Sequence, residues 1–414
     1  MGEMFLKLAI DFTTKVKMIT IEEALKTIDQ FINPLKSKKI DIIDSIGFYL
    51  FEDIIAKENA PFFSNSGMDG YCIDYKSYKS GLREYSQSLE IQAGSMTQVS
   101  LGSNTIARIF TGAALPLGAD TIIKQEDVKL VDGKIILPEK IKQYDFVREE
   151  GSDFKSGEVL LHKGEKLNSA KISLLASQGI YQIEVFKKAT LAYVVSGNEL
   201  KFEGDSLEFG QIRSCNGEIF ETEFKDVSKS ITNLGVVRDD KKSVKEKLLQ
   251  AQNYDLFLIS GGASVGEYDF TKEVLLELGY KIHFQKVAIR PGKPVVFATK
   301  GDTIVFGVPG NPVSTFVASK IFLKYALVAF CGSRLKNHFF KVKLGNTIKK
   351  SSLFEFYYRG NLIEESNQTV VYTDINQSSG ALGALAQADC LVRVPIGVEK
   401  VESGDLIEVM MISE

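Results

Sequence analysis

Cysteine and histidine are scarce in this 414-residue chain, and the few present do not cluster. The four cysteines, Cys72, Cys215, Cys331 and Cys390, form no C-x-x-C pair. That argues against a disulfide framework or a structural zinc site and suits a reducing compartment. His162, His283 and His338 are equally scattered and read as surface or structural residues rather than metal ligands. No uncharged run approaches the ~20 residues that cross a bilayer, so no membrane partner is expected. Charge of one sign is also lacking. Lys and Arg number 50 against 53 Asp and Glu, a formal net charge of -3, so the chain as a whole is not drawn to nucleic acid. A local basic pocket stays possible, because net charge averages over faces. The opening MGEMFLKLAIDFTTKVK has the look of a leader, but Lys7 and Asp11 break its apolar stretch and no small-residue cleavage site follows. A cytoplasmic protein is expected.

What is present is ordinary for a globular chain: 44% hydrophobic and 25% charged residues. The length implies about two to four domains. Residues 20–33 place Ala24, Leu25, Ile28, Phe31 and Ile32 on one helical face, and Thr20 with Glu23 forms a capping box. From about 59 to 157 short β-branched runs alternate with Gly, Pro and the hairpin signal Asp132-Gly133. A second helical pattern at 168–180 starts at Asn168 or Ser169 and ends at Gly179. A β module inserted into a split helical domain follows.

Between 189 and 333 the apolar runs ATLAYVV, YDLFLIS and DTIVFGV each lead into a glycine-containing turn, and helical patterns follow the last two. That rhythm predicts a mostly parallel sheet covered on both faces. From 334 to 414 the short runs KVKLG, FEFYYRG, TVVYTD, CLVRVPI and DLIEVMMI predict a small barrel or sandwich.

Ligands of an open parallel sheet bind outside the carboxyl ends of its strands. Four loops qualify: Ser196 to Glu199, Gly261 to Asp269, Lys286 to Lys293, and Val308 to Ser314. Singly, each has a plain structural reading. Gly261-Gly262 makes a tight turn, Asp269 caps a helix, and Asn311-Pro312 suits the N-cap and first helical positions. Together they suggest an anion and magnesium. Glycines such as Gly261 and Gly262 let backbone N–H groups approach an anion. Lys286, Arg290 and Lys293 lie within eight residues and suit phosphate. Glu199 and Asp269 suit magnesium, which takes a few carboxylates plus phosphate oxygens. In the β module, Asp69 between Gly67 and Gly70, Thr111 and Asp153 are explained by turn structure alone when read singly.

An ordered set of motifs nevertheless resembles one family. SGMDGY (66–71), FTGAALPLGADTII (110–123), VREEGSDF (147–154), SGNEL (196–200), GQI followed by CN (210–216), GGASVGEYD (261–269), AIRPGKP (288–294), GVPGNPVS (307–314) and QSSGALGALAQADCLVRVP (377–395) are similar to the MoeA family, molybdopterin molybdenumtransferases related to the C-terminal domain of gephyrin. The likeness runs from about residue 18 onward. It implies a multidomain α/β and β fold: an elongated split domain (18–58 plus 158–188), an inserted β-rich domain (59–157), a three-layer molybdopterin-binding α/β domain (189–333) and a C-terminal β-barrel (334–414). It implies magnesium-dependent insertion of molybdate into adenylylated molybdopterin, with release of AMP, by a cytoplasmic homodimer. Molybdopterin adenylyltransferase and molybdoenzyme apoproteins are the further partners it suggests.

By that resemblance Asp69, Thr111, Glu199, Asp239 and Asp269 are catalytic, with Glu199 and Asp269 at the metal and Asp69 and Thr111 reaching across the dimer. Gly261, Gly262 and Ser264 cradle the pterin phosphate, while Lys286, Arg290 and Lys293 bind phosphate or molybdate. The Pro309–Pro312 turn with Asn311 shapes the molybdate pocket, and Asp153 joins the substrate site. The chain departs from the family at Val195, Ser196 and Asn198, where Ser, Thr and Asp are usual. Arg290 replaces a lysine, Gly67 an alanine, and Arg213-Ser214-Cys215 the usual Tyr-Asp-Ser/Thr. None of these changes removes Glu199 or Asp269, so activity is expected to survive. Two rival readings remain, a gephyrin-like scaffold without catalysis and a molybdopterin adenylyltransferase.

Overall fold

The structure is a computed structural model that describes residues 18–95, 98–201, 204, 206–261, 270–335 and 338–413. The leader-like opening at 1–17 and the sites expected at Gly262, Ser264 and Asp269 lie outside the described residues. The chain forms two compact units. Of the described residues, one takes those up to Phe51, Gly164–Ile172 and those from Gln182 onward; the other takes those of Glu52–Lys163 and Ser173–Tyr181.

A six-stranded sheet anchors the first unit, in the order Ser228–Val237, Ala189–Ser196, Leu256–Ser260, Thr303–Val308, Val296–Lys300 and Lys281–Phe284. The first four strands run parallel, and Val296–Lys300 runs antiparallel to its neighbours on both sides, Thr303–Val308 and Lys281–Phe284. Ala189–Ser196 is apolar throughout because both of its faces are covered. Leu191, Tyr193 and Val195 pack with Phe220, Phe306, Val317 and Phe322 on one side. Ala192 and Val194 pack with Val244, Leu248, Val274 and Leu275 on the other. Each large side chain so buried contributes about 1.5–3 kcal/mol of transfer free energy.

The capping box forms as expected. The Glu23 N–H donates to the Thr20 hydroxyl (3.1 Å), the Thr20 N–H donates to the Glu23 carboxylate (2.8 Å), and helix Ile21–Phe31 buries Ala24 and Ile28. The split region is not purely helical, however. Strand Ser37–Asp41 pairs antiparallel with Gln182–Phe186, so a backbone ladder joins the segments before and after the insertion. Helix Ser169–Ser177 begins where Asn168 accepts the Lys171 N–H (3.0 Å) and ends at Gly179, whose φ of +64° closes the turn. A buried helical stretch, Pro312–Ala318, Ser319–Leu323 and Lys324–Phe330, crosses the first unit with a π-turn at its centre. It is long and apolar enough to span a bilayer, but it is almost wholly enclosed by the protein.

The C-terminal strands close into a five-stranded barrel. Glu355–Glu365, Gln368–Tyr372, Phe340–Leu344, Leu406–Met411 and Cys390–Val394 pair in sequence, and the last returns to the first. Val342, Leu344, Val371, Val392, Val394 and Val409 fill it.

The second unit holds its own six-stranded sheet, ordered Thr121–Lys124, Gly70–Ile73, Thr105–Ile109, Glu84–Ile91, Lys134–Ile136 and Lys129–Val131. Its last two strands form the hairpin marked by Asp132-Gly133, where both residues take positive φ, +48° and +76°.

Candidate active site

The parallel strands of the first unit end together, and their loops build a cavity of about 360 Å³. At its floor Gly261 donates its N–H to the Val308 carbonyl (3.1 Å) with φ +89°. A Cβ there would lie 2.2 Å from the Ser196 carbonyl oxygen, so only glycine lets these strand ends meet. Gly310 packs against it, and an added Cβ at that position would meet the Gly261 Cα at 3.5 Å.

Asn216 ties three walls of the cavity together. Its amide donates to the Ser260 hydroxyl and to the Gly310 carbonyl, both at 2.8 Å, and Ser260 donates onward to the Pro309 carbonyl (3.3 Å). The Asn216 side-chain oxygen is buried and has no partner among the described residues. An orphan acceptor of this kind costs about 1–3 kcal/mol, a cost that a ligand donor can offset.

Two carboxylates line the same cavity, Glu199 and Asp239. Asp239 is held twice: Ser196 donates its hydroxyl to the carboxylate, and Asn198 accepts the Asp239 N–H (3.2 Å). An aspartate at 198 would set a second negative charge beside Asp239. The neutral amide keeps the hydrogen bond and removes that repulsion. Cys215 also lines the cavity, but burial and then Glu218 push its thiol above the usual range, which disfavours a thiolate nucleophile.

The Pro309–Pro312 turn forms the wall opposite. Pro312 opens its helix at the first position as expected, yet Asn311 does not cap it with its side chain. Instead its amide donates to the Ser379 hydroxyl (3.1 Å), because the barrel loop lies within reach. Thr315 donates its hydroxyl to the Pro309 and Asn311 carbonyls, at 2.6 and 3.2 Å, and so fastens the turn to the first turn of the helix.

A second cavity of about 390 Å³ adjoins the first and shares Pro294 with it. Arg290 and Lys293 line it, with Ser314 from the core helix and Tyr358, Gln377 and Ser379 from the barrel. Both cations lie over the Phe354 ring, at 4.6 and 5.8 Å. Lys286 lines neither cavity. Its carbonyl accepts the Ile19 N–H, within a bridge between Ile19 and Val287.

Behind the second cavity lies Arg359, fully buried and, among the described residues, paired with no carboxylate. Its guanidinium donates to the Asn376 carbonyl (2.7 Å) and the Ser378 carbonyl (3.1 Å), and one terminal nitrogen has no partner among the described residues. Gln377 clamps the same loop, accepting the Arg359 N–H (3.0 Å) and donating to its carbonyl (2.8 Å). Burial lowers the Arg359 pKa, yet the side chain remains a cation.

Asp69, Thr111 and Asp153 belong to the second unit. Asp69 accepts the Thr111 hydroxyl (2.6 Å) and N–H (2.8 Å), and those two bonds hold its carboxyl below the usual range. Gly70 is obligatory beside it, because a Cβ would fall 2.0 Å from the Ile123 carbonyl oxygen. The Asp153 N–H donates to the Ala60 carbonyl at 2.9 Å.

Cavity one thus gathers Glu199, Asp239, Gly261, Pro309, Asn311 and Pro312, and cavity two gathers Arg290 and Lys293. Asn216, Ser196, Gln377, Ser379 and Arg359 had no role assigned from the sequence. The position of Asn216 at the start of a helix, and the polar QSSG run at 377–380, were the available signals.

Comparison with known proteins agrees with this architecture. Residues 19–179 match the MoeA N-terminal region (domain I and II), 192–329 a probable molybdopterin binding domain, and 341–412 the MoeA C-terminal region (domain IV). A molybdopterin molybdenumtransferase of Haemophilus influenzae is 30% identical over 404 residues, covering 95% of this chain and 98% of that protein. One from Staphylococcus epidermidis is 29% identical over 400 residues, 95% of each. The crystal structure of a molybdopterin biosynthesis MoeA protein from Pyrococcus horikoshii superposes with a TM-score of 0.74 at 29% identity, covering 96% of this chain and all of that one. The chain belongs to the MoeA family, the molybdopterin molybdenumtransferases of molybdenum cofactor biosynthesis.

Proposed function

We propose that this chain inserts molybdate into the dithiolene of adenylylated molybdopterin, with release of AMP, giving molybdenum-molybdopterin. One observation carries the reading. An acid-lined cavity at the strand ends meets, at Pro294, a second cavity lined by Arg290 and Lys293.

The two cavities suit the two reactants. Molybdate is a tetrahedral dianion and favours the basic cavity, where arginine can hold two oxygens and lysine acts as a point charge. Arg359 adds positive field from behind and occupies the Asn376 and Ser378 carbonyls with its guanidinium. The phosphate-bearing substrate favours the strand-end cavity, where Glu199 and Asp239 could share a magnesium ion with its phosphate oxygens and the buried Asn216 acceptor could take a donor N–H or O–H of the ligand. The dithiolene then lies near Pro294, within reach of the oxyanion.

Magnesium fits the donor chemistry. Among the described residues no three His, Cys, Asp or Glu side chains gather as a metal cage. Glu199 and the second carboxylate oxygen of Asp239 would hold a hard cation completed by phosphate oxygens and water, as magnesium prefers; Asp269, which the sequence also favours, lies outside the described residues. The bound ion would neutralise charge on the diphosphate as AMP departs. Ser196 and Asn198 keep Asp239 in place for that role. In a cytoplasmic homodimer, the Asp69–Thr111 pair of a second copy would complete the substrate site.

The assay is release of AMP from adenylylated molybdopterin, with and without molybdate and magnesium. Molybdate-dependent release that falls at least ~100-fold in Glu199→Gln is expected, in line with loss of one electrostatic contact to the reacting group. Release that ignores molybdate, or an unaffected variant, overturns the reading; a scaffold would release none.

A further inference from the structure

A chain of charges in the barrel has no role in the reading above. Glu355, Tyr357 and Arg359 alternate along strand Glu355–Glu365 and are all buried. Tyr357 packs with the α/β core, while Phe356 and Tyr358 between them pack against the barrel interior. Glu355 accepts the Tyr357 hydroxyl (2.8 Å) and two N–H groups of Arg393, at 2.7 and 3.3 Å. Arg393 donates onward to Glu408 (2.9 Å). Tyr357 faces Arg393, and Arg393 faces Glu408, as register partners on neighbouring strands. Burial, and then the Glu355 charge, push the Tyr357 hydroxyl well above its usual range, so it stays a donor.

This carboxylate stands close behind the basic cavity. Tyr357 lines that cavity, so Glu355 is one hydrogen bond from its wall. The Glu355 N–H also donates to the Ala288 carbonyl (2.9 Å), and Ile289–Arg290 pairs in parallel with Glu355–Phe356. A buried negative charge in that place opposes an oxyanion, because little water is there to screen it. Left unpaired, it would also compete for the Arg290 guanidinium. Lys350 lies near Glu355 too, but its ammonium donates to the Ser351 and Phe354 carbonyls, at 3.2 and 2.8 Å. Glu408 is the more exposed end of the chain of charges, where solvent screens it.

We propose that Arg393 sets the oxyanion affinity of the basic cavity without touching the ligand, by holding and neutralising Glu355 behind the Tyr357 wall. Arg393 is thus a positioning residue that acts through Glu355. The inference rests on the reading of the basic cavity as the molybdate site. Glu355 itself has a reason to be there, since a buried tyrosine hydroxyl needs an acceptor. Arg393 removes the cost that this acceptor would impose on anion binding.

The test is AMP release by the full-length protein at varied molybdate, with calorimetric titration of AMP as the control. Arg393→Met is expected to raise the molybdate KM roughly ten-fold, the scale of one uncompensated charge in a partly buried setting, and to leave AMP affinity unchanged. Adding Glu355→Gln to that variant is expected to restore the KM to within about three-fold of wild type, because the two residues are coupled. Glu355→Gln alone has nearly the same shape, adds net positive charge behind the cavity, and is expected to lower the KM about two-fold. A purely structural role predicts the opposite, a higher KM in Glu355→Gln and a double variant no better than Arg393→Met; either result overturns the inference. Should Arg393→Met fail to fold, Glu355→Gln decides: a lower KM supports the inference, and an unchanged or higher one overturns it. Molybdate-dependent release with an unchanged KM in folded Arg393→Met overturns this inference alone. Wild-type release that ignores molybdate overturns the substrate reading with it.

Discussion

Replacing Gly261 by alanine tests whether the strand ends are packed as tightly as the cavity floor requires. The added methyl would stand 2.2 Å from the Ser196 carbonyl oxygen and 3.1 Å from its carbon, and both are backbone atoms that cannot rotate aside. The backbone also holds φ +89°. The conformational part alone costs about 1–2 kcal/mol for a non-glycine residue. Relieving the clash must part Ala189–Ser196 from Leu256–Ser260 where Val195 pairs with Ser260, which brings the total to about 3–5 kcal/mol, the range of severe single substitutions. Gly47→Ala supplies the control, because Gly47 has φ +76° but nothing within 4 Å of an added Cβ. It should cost only the conformational part, about 1–2 kcal/mol. Urea denaturation of both variants, beside AMP release, isolates the steric contribution. Equal destabilisation of the two, with full activity in Gly261→Ala, would refute the packing argument.

Arg290→Ala and Lys293→Ala should each raise the KM for molybdate roughly ten-fold or more, from the loss of a charge-assisted contact of about 1.5–3 kcal/mol. AMP affinity should stay unchanged; steady-state kinetics at varied molybdate decides, and a selective loss of nucleotide affinity would be the wrong sign. Arg359→Met should change stability by only about 1–2 kcal/mol in either direction, because lost hydrogen bonds offset a lost desolvation cost. It should still raise the molybdate KM by freeing the 376–378 loop, so a large stability loss with unchanged KM contradicts the positioning role. Thr111→Val removes one of the two hydrogen bonds that depress the Asp69 carboxyl. A depressed carboxyl contributes stability above its ordinary pKa and loses it as pH falls through the folded value. The variant should therefore lose this contribution at a higher pH than wild type, and NMR titration of Asp69 should show its pKa rising; an unmoved pKa refutes the cause.

Much of this architecture was legible because burial on two faces leaves a distinctive text. Ala189–Ser196, Leu256–Ser260 and Thr303–Val308 are continuous apolar runs, and the capping box and Asp132-Gly133 are local signals that tertiary contacts did not override. Edge strands were harder. Ser228–Val237 is half exposed and reads SKSITNLGVV, without a clean period. Lys281–Phe284 is a short edge strand, and Val296–Lys300 hides behind the proline-rich loop. In the site, charge and glycine located the loops but not their grouping. Nothing in the local sequence sets Lys286 apart from Arg290 and Lys293. Its segment is held instead by the distant Ile19, through the bridge at Val287, and the side chain joins neither cavity.

Asn216 and Arg359 show the same limit from the other side. Nothing local marks an asparagine whose amide bridges two loops, or an arginine buried without an acid, because both properties arise only when distant strands close around them.

The central claim is that the acid-lined and basic cavities work as one site joined at Pro294, and a crystal soaked with molybdate and AMP tests it most directly. The account predicts molybdate held by Arg290 and Lys293, with the nucleotide phosphate beside Glu199 and Asp239. Molybdate bound away from both cations, or a nucleotide phosphate outside the strand-end cavity, would contradict it.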